Sequence, residues 1–206
     1  VHDYFNDKVA WAQRFLAPGV KDKQWDLIVD EPIAHVYCVP FFNRRFCEEV
    51  RDLAEASGAW TTKRHANYPT TDMLLGAIGL EAIYADLLKV YVMPLCIHKY
   101  GLQGRGWDDM TSETFVARYT PETQGYLAIH HDASDISALV NLSEPDLDYQ
   151  GGGTWFWHQK TLYRPPQGSL SVHPGNITHK HGARAVTEGR RYVLVSFMNQ
   201  STRPRH

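Results

Sequence analysis

The 206-residue chain has little cysteine, no long apolar run and almost no net charge. Each shortage removes a class of explanation. Three cysteines, Cys38, Cys47 and Cys96, are too few and too scattered for a disulfide framework or a zinc ribbon, and leave room for one disulfide at most. Nowhere do eighteen apolar residues run together, which excludes a helical membrane span, and the opening stretch "VHDYFNDKVAW" lacks the apolar core of a signal peptide. The first residue is Val1, as expected of a piece excised from something longer. A formal net charge of -2 supplies no global attraction to nucleic acid or to an anionic membrane surface. There is no internal repeat. What remains is a chain that is 43% hydrophobic, long enough for one packed core and too short for two full domains, so residues 1–206 are expected to form a single domain.

The period of the apolar residues divides that domain into a helical part, about 1–110, and a strand-rich part, about 111–199. In "NRRFCEEVRDLAEASG", Asn43 is an N-cap, Phe46, Cys47, Val50, Leu53 and Ala54 fall on one face, and Gly58 stands just past the end. In "LEAIYADLLKVYVMPL", Leu80, Ile83, Tyr84, Leu87, Leu88 and Tyr91 make a second stripe, which Pro94 is expected to interrupt. "TTKRHANYPTTD" and "GLQGRGWDD" read as loops. Beyond residue 111, "ETFVARY", "YLAIHH", "ISALVNL", "TWFWH", "SLSVH" and "RYVLVSF" are strand-length segments separated by clusters of turn formers such as "TPETQG" and "HPGNITHKHG". An α+β fold is expected, a double-stranded β-helix (jelly roll) buttressed by the N-terminal helices, with a mouth between its sheets for a small ligand.

Chemistry concentrates in "AIHHDAS". In an extended segment residues i and i+2 share a face, so His130 and Asp132 project together while His131 turns away. A buried carboxylate needs a cation, and imidazole with carboxylate suits a borderline metal such as Fe(II), with a further histidine as third ligand. His179 and His181 in "ITHKHG" both qualify. An isolated His-x-Asp is usually only a satisfied core pair; an arginine downstream changes that. Arg191 opens the apolar strand "YVLVSF", where an inward arginine needs an anionic partner. Two histidines and one carboxylate on one face of iron leave positions for a 2-oxo acid and dioxygen, and the acid's far carboxylate calls for a basic clamp. Arg190 is the alternative clamp, because both faces of its strand carry apolar residues.

"RYTPETQGYLAIHHDAS", "DYQGGGTWF", "SVHPGNITHKHG" and "GRRYVLVSF" together resemble the catalytic domain of procollagen lysyl hydroxylases, which are Fe(II)- and 2-oxoglutarate-dependent dioxygenases. "VPFFNRRFCEEV" and "YPTTDMLLGAIGLEAIYADLLKVYVMPL" extend the resemblance over essentially the whole chain. It implies His130, Asp132 and His181 as iron ligands, Arg191 as the clamp on 2-oxoglutarate, Tyr119 beside that cosubstrate, and His179 as the non-ligand. It also implies O2 as co-reactant, ascorbate as reductant, and C5 of a peptidyl lysine in a collagen-like sequence as target. It allows a homodimer, and an endoplasmic reticulum location if the chain behaves like that family, or a cytoplasmic one for a stand-alone microbial or viral relative. Two features depart from the family pattern. "DISALVNLS" is less rich in threonine and asparagine, and "HQKTLYRPPQGSL" is one residue short.

With Asp132 present no ligand position is vacated for chloride, so hydroxylation is expected rather than halogenation. Asp146 and Asp148 are candidates for steering an ammonium to the cleft, with plain solvated loop carboxylates as the simpler reading. "GGG" at 151–153 lacks the Lys-Ser/Thr of a phosphate loop and reads as a turn between strands. Trp155 and Trp157 should share a face opposite Phe156, part of that group being core, and His173 should stand behind the metal ligands or in a turn. His65, His98 and His158 carry no functional reading. Other expectations to be weighed are a dioxygenase acting on prolyl residues or a small molecule, and a jelly-roll module holding a structural metal.

Overall fold

The computed structural model describes residues 1–65, 67–102 and 106–201, so part of the "GLQGRGWDD" loop lies outside the described residues. Helix α1 (Lys8–Phe15), capped by Asp7, and the short α2 (Trp25–Ile28) precede strands β1 (Asp30–Ile33) and β2 (Val36–Pro40). Helix α3 (Arg44–Ser57) starts where Asn43 accepts the Phe46 N–H and stops at Gly58, whose φ of 62° a side chain would resist. Strand β3 (Thr71–Leu74) leads to α4 (Glu81–Leu87) and α5 (Met93–Tyr100).

The strand-rich part then supplies β4 (Thr111–Tyr119), β5 (Leu127–His130), β6 (Ile136–Asn141), β7 (Tyr149–Gly151) and β8 (Thr154–Phe156). It continues with β9 (Thr161–Tyr163), β10 (Ser169–Pro174), β11 (His181–Ala183), β12 (Val186–Gly189) and β13 (Arg191–Asn199). A seven-stranded sheet runs β1-β2-β10-β6-β13-β4-β3, a four-stranded sheet runs β5-β11-β8-β9, and β12 pairs with β7. Every pairing between these strands is antiparallel, as in a jelly roll.

The large sheet is buried on both faces, and alternation along β4 and β13 shows how. Val116, Leu194 and Met198 join the core formed with the helices, in which Phe42 stacks on Phe46 at 3.6 Å between ring centroids. Phe115, Ala117, Tyr119 and Val193 belong to a second cluster on the other face. Two covered faces explain why periodicity alone left Arg190 and Arg191 undecided. The structure buries Arg191 and leaves the side chain of Arg190 60% exposed beside Glu55.

Several expectations are corrected. The first part is not purely helical: β1, β2 and β3 extend both edges of the large sheet. They are four or five residues long, too short to announce themselves by period. Pro94 does not end its helix. A π-helical turn over Leu88–Val92 joins α4 to α5, and Pro94 sits in the first turn of α5, where its missing N–H is tolerated. "HPGNITHKHG" is not all turn, since β11 begins within it. The aromatic group is part core, as expected: Phe156 is buried and Trp157 is 55% exposed. All three cysteines are free thiols. Among the described residues no helix is long and apolar enough to cross a membrane.

Candidate metal centre

Strand β5 ends at His130, and Asp132 lies just beyond it in irregular backbone before β6. Alternation alone therefore does not aim Asp132; a backbone clamp does. The Asp132 N–H donates to the Gly175 carbonyl at 2.8 Å, and the Gly175 N–H donates to the Asp135 carbonyl at 3.1 Å. Residue 175 must be glycine for this approach, because a Cβ there would meet the Ser134 carbonyl oxygen at 2.2 Å. His181 opens β11 directly opposite His130 in the register.

The three side chains converge. Their ligand atoms lie within 4.8 Å of one another, with His130 Nε2 3.3 Å from Asp132 Oδ1 and His181 Nε2 3.7 Å from Asp132 Oδ2. Each imidazole is oriented from behind: Nδ1 of His130 meets the Ala128 carbonyl at 2.8 Å and Nδ1 of His181 meets the His179 carbonyl at 2.9 Å. Those bonds use Nδ1–H as donor and aim both Nε2 atoms at the centre, where a cation would take their lone pairs in place of a proton. Behind Asp132, Ser137 donates to Oδ2, and Ser134 meets Ser137 at 2.8 Å between hydroxyl oxygens.

Burial works to raise the Asp132 carboxyl, but electrostatic attraction to His181 and hydrogen bonding with His130 and Ser137 outweigh it and hold Asp132 well below the usual carboxylate range. Burial pushes His181 down, whereas in His130 it is outweighed by the bond to Asp132. An ionised carboxylate and two convergent imidazole nitrogens, all buried, fit a divalent borderline cation.

A cavity of about 340 Å³ opens beside this cluster, between the two sheets. Arg191 reaches into it from β13 and is only 4% exposed. Its guanidinium donates to the Gly153 carbonyl at 3.3 Å and to Thr154 Oγ1 at 3.1 Å, while Nε has no partner. Among the described residues no carboxylate pairs with it. A buried guanidinium without an anion is expensive, so the cavity fits an anionic guest at this end. Tyr119 lines the same cavity, with the Arg191 guanidinium 5.6 Å from its ring centre.

Residues 114–199 match the family model described as the 2OG-Fe(II) oxygenase superfamily, an interval containing His130, Asp132, His181 and Arg191. The chain carries a 2OG-Fe(II) oxygenase domain. The chain is 33% identical over 207 residues to a multifunctional procollagen lysine hydroxylase and glycosyltransferase of Caenorhabditis elegans. It is 30% identical over 206 residues to procollagen-lysine,2-oxoglutarate 5-dioxygenase 2 of Mus musculus. Each alignment spans 95% of this chain and 28% of the relative, so the chain covers little more than a quarter of the length of these proteins.

Two solved structures share the fold at low identity. A viral collagen prolyl hydroxylase from Paramecium Bursaria Chlorella virus-1 has a TM-score of 0.59 and 17% identity, over 82% of this chain and 97% of that one. A Trichoplax adhaerens prolyl hydroxylase in complex with a hypoxia inducible factor peptide also has a TM-score of 0.59, at 14% identity, over 88% of each chain.

Around the oxygenase site the remaining sequence candidates separate. His179 is turned away: its Nε2 meets the Ala34 carbonyl at 3.0 Å and its Nδ1 meets Thr178. His173 stacks edge-on against His181 at 4.9 Å, and burial pushes its pKa down to about 3, so it is neutral. Asp146 pairs with Arg164 and Asp148 with Arg51, and neither lines the cavity, which removes both as steering groups. The "GGG" turn delivers the Gly153 carbonyl to Arg191; with φ of 95°, a Cβ on Gly153 would press on Arg164 Cγ at 2.6 Å.

The segment between Thr61 and Asp72 also reaches the cavity, although nothing in its periodicity points there. Arg64, His65, Tyr68 and Thr70 all line the cavity, and the Tyr68 ring lies 5.0 Å from that of His130. The one signal was composition: "KRHANY" is richer in cationic and aromatic side chains than a plain connector needs.

Ser137→Ala tests the support behind Asp132. Iron affinity should drop by about 10–100-fold, the usual effect of losing an outer partner of a metal ligand. Competition with a chelator measures it; an unaltered affinity means Ser137 does not orient the carboxylate.

Proposed function

We propose that the chain hydroxylates C5 of a peptidyl lysine in collagen-like sequences, using 2-oxoglutarate and O2 at an iron held by His130, Asp132 and His181. The observation that carries the reaction class is the unpaired guanidinium of Arg191, buried in the same cavity as the three convergent donors. The lysyl target rests on the likeness to procollagen lysine hydroxylases along 95% of this chain.

When bound, iron supplies the redox chemistry that couples decarboxylation of 2-oxoglutarate to oxygen insertion into a C–H bond, with ascorbate as reductant. The protein supplies geometry. Two imidazoles and one carboxylate occupy one side of the centre and leave the cavity side for cosubstrate and O2. Arg191, held in turn by Gly153 and Thr154, takes the far carboxylate of 2-oxoglutarate through its planar fork, with Tyr119 alongside. Phe115, Val193, Val195 and Phe197 give that cavity an apolar wall that excludes water from the reacting atoms.

Aerobic incubation with Fe(II), 2-oxoglutarate, ascorbate and collagen-like peptides should add one oxygen to lysine, located by fragmentation mass spectrometry. Oxygen found on proline, or on no residue while 2-oxoglutarate is consumed, overturns the lysyl assignment. A chain that binds metal yet never consumes 2-oxoglutarate is a structural metal module instead.

A further inference from the structure

A lysine entering to be hydroxylated at C5 carries its ammonium two bonds beyond the reacting carbon, so something near the iron site must receive a cation. Apart from Asp132, no described residue lining the cavity is acidic. Two carboxylates stand immediately behind its wall, however, and a single residue holds both. Arg64 donates from Nη1 to Asp72 at 2.5 Å and from Nη2 to Glu113. Its guanidinium also lies over the Phe115 ring, 4.9 Å from the centre. A buried carboxylate, a second carboxylate at the rim and an aromatic face are the components of a site for an organic cation.

Asp72 is fully buried, on β3 opposite Ala117 of β4, and also accepts a hydrogen bond from Thr70. His65 Nε2 stands 3.6 Å from it and has no hydrogen-bond partner. Arg64, His65, Thr70 and Phe115 all line the cavity that contains the His130, Asp132 and His181 cluster. Arg64 itself reaches the cavity from an irregular segment, closed by the pairing of Thr61 with Asp72 and tied on its far side by Gln124 to the Pro69 carbonyl.

We propose that Asp72, Glu113 and the face of Phe115 form the receptor for the substrate's ammonium, and that Arg64 occupies it as a built-in surrogate until a cationic side chain displaces it. The inference rests on the lysyl reading for the identity of the guest, though not for the existence of the receptor. Exchange of one cation for another keeps buried Asp72 paired throughout. A neutral side chain cannot displace Arg64 without leaving buried Asp72 with only Thr70 and His65 beside it and its guanidinium partner gone. Selectivity for lysine over an uncharged side chain of equal length follows from that asymmetry. It does not require a free carboxylate waiting in the cavity.

The test combines amine binding with peptide turnover. NMR titration of the metal-free chain with n-butylammonium should show binding that weakens roughly tenfold or more in Asp72→Asn, the range for a charged hydrogen bond. It should tighten in Arg64→Ala, where the surrogate is gone. In turnover, KM for a lysine peptide should rise in Asp72→Asn and its preference over the same peptide carrying norleucine should shrink. Glu113→Gln, at a half-exposed position, should shift both readouts the same way by less, and serves if Asp72→Asn does not fold. Amine binding that is absent, or indifferent to Asp72 and Glu113, overturns the proposal. So does Arg64→Ala weakening the lysine peptide, which makes Arg64 a direct contact instead of a surrogate. Because amine binding needs no turnover, failure to hydroxylate lysine sinks the proposed reaction and leaves this receptor separately decided.

Discussion

Asp132→Ala is expected to lose both iron and turnover while the folded sheet survives. The substitution removes the only anionic donor of the cluster, and with it the charge that compensates a divalent cation at a site otherwise made of neutral imidazoles. Loss should exceed the roughly 10–100-fold that follows removal of an outer partner. Fold retention is expected because Asp132 lies in irregular backbone beyond β5, outside every apolar core cluster. His130→Ala and His181→Ala should behave alike. His131→Ala, at an exposed position, and His179→Ala, whose ring faces Ala34, should retain metal. Metal content, 2-oxoglutarate consumption and a thermal melt give the answer together. Asp132→Ala that still hydroxylates at a substantial fraction of the wild-type rate would falsify the assignment of the triad.

Arg191→Lys separates the cosubstrate clamp from the metal. Lysine keeps the charge but loses the planar fork, and with it the ability to hold a carboxylate through two parallel bonds while also bonding Gly153 and Thr154. Apparent KM for 2-oxoglutarate should rise about tenfold to a hundredfold, equivalent to about 1 to 3 kcal/mol for a hydrogen bond to a charged group. Iron content should stay near wild type. Arg190→Lys, on the solvent side of the same strand, should barely register. Saturation curves for both variants, with iron quantified in parallel, decide it: a larger loss at Arg190 transfers the clamp to the other face, and no loss at either removes the clamp from this strand.

Much of this was readable because it is local. The Asn43 cap and the Gly58 stop of α3 depend on a hydrogen bond within one turn and on one backbone angle. Strands β4, β6, β10 and β13 are long enough for alternation to show. The pairing of His130 with Asp132 is likewise short-range, two residues apart. By contrast β3, β11 and β12 have three or four residues each and exist through partners far along the chain, while β1 and β9 pair with the neighbouring β2 and β8 but are too short for alternation to show. The π-turn before Pro94 was hidden for a different reason. A proline forbids one hydrogen bond, and several backbone adjustments can absorb that loss.

Local order along the chain sets the chemistry on offer: which segments alternate, which helix is capped, and which motif places an acid two residues from an imidazole in a chain that also carries an arginine-led strand. Tertiary structure decided the selections. It took His181 over His179 because β11 pairs His181 with His130, and it took Arg191 over Arg190 because the small sheet covers one face of β13 at the cavity. It also carried Arg64, His65 and Tyr68 to the cavity, although their segment has no periodicity to betray a destination. The physical reason is the same in each case. Periodicity reports whether a side chain is inside or outside, whereas a site needs to know what stands opposite, and that is set by pairings between residues dozens of positions apart.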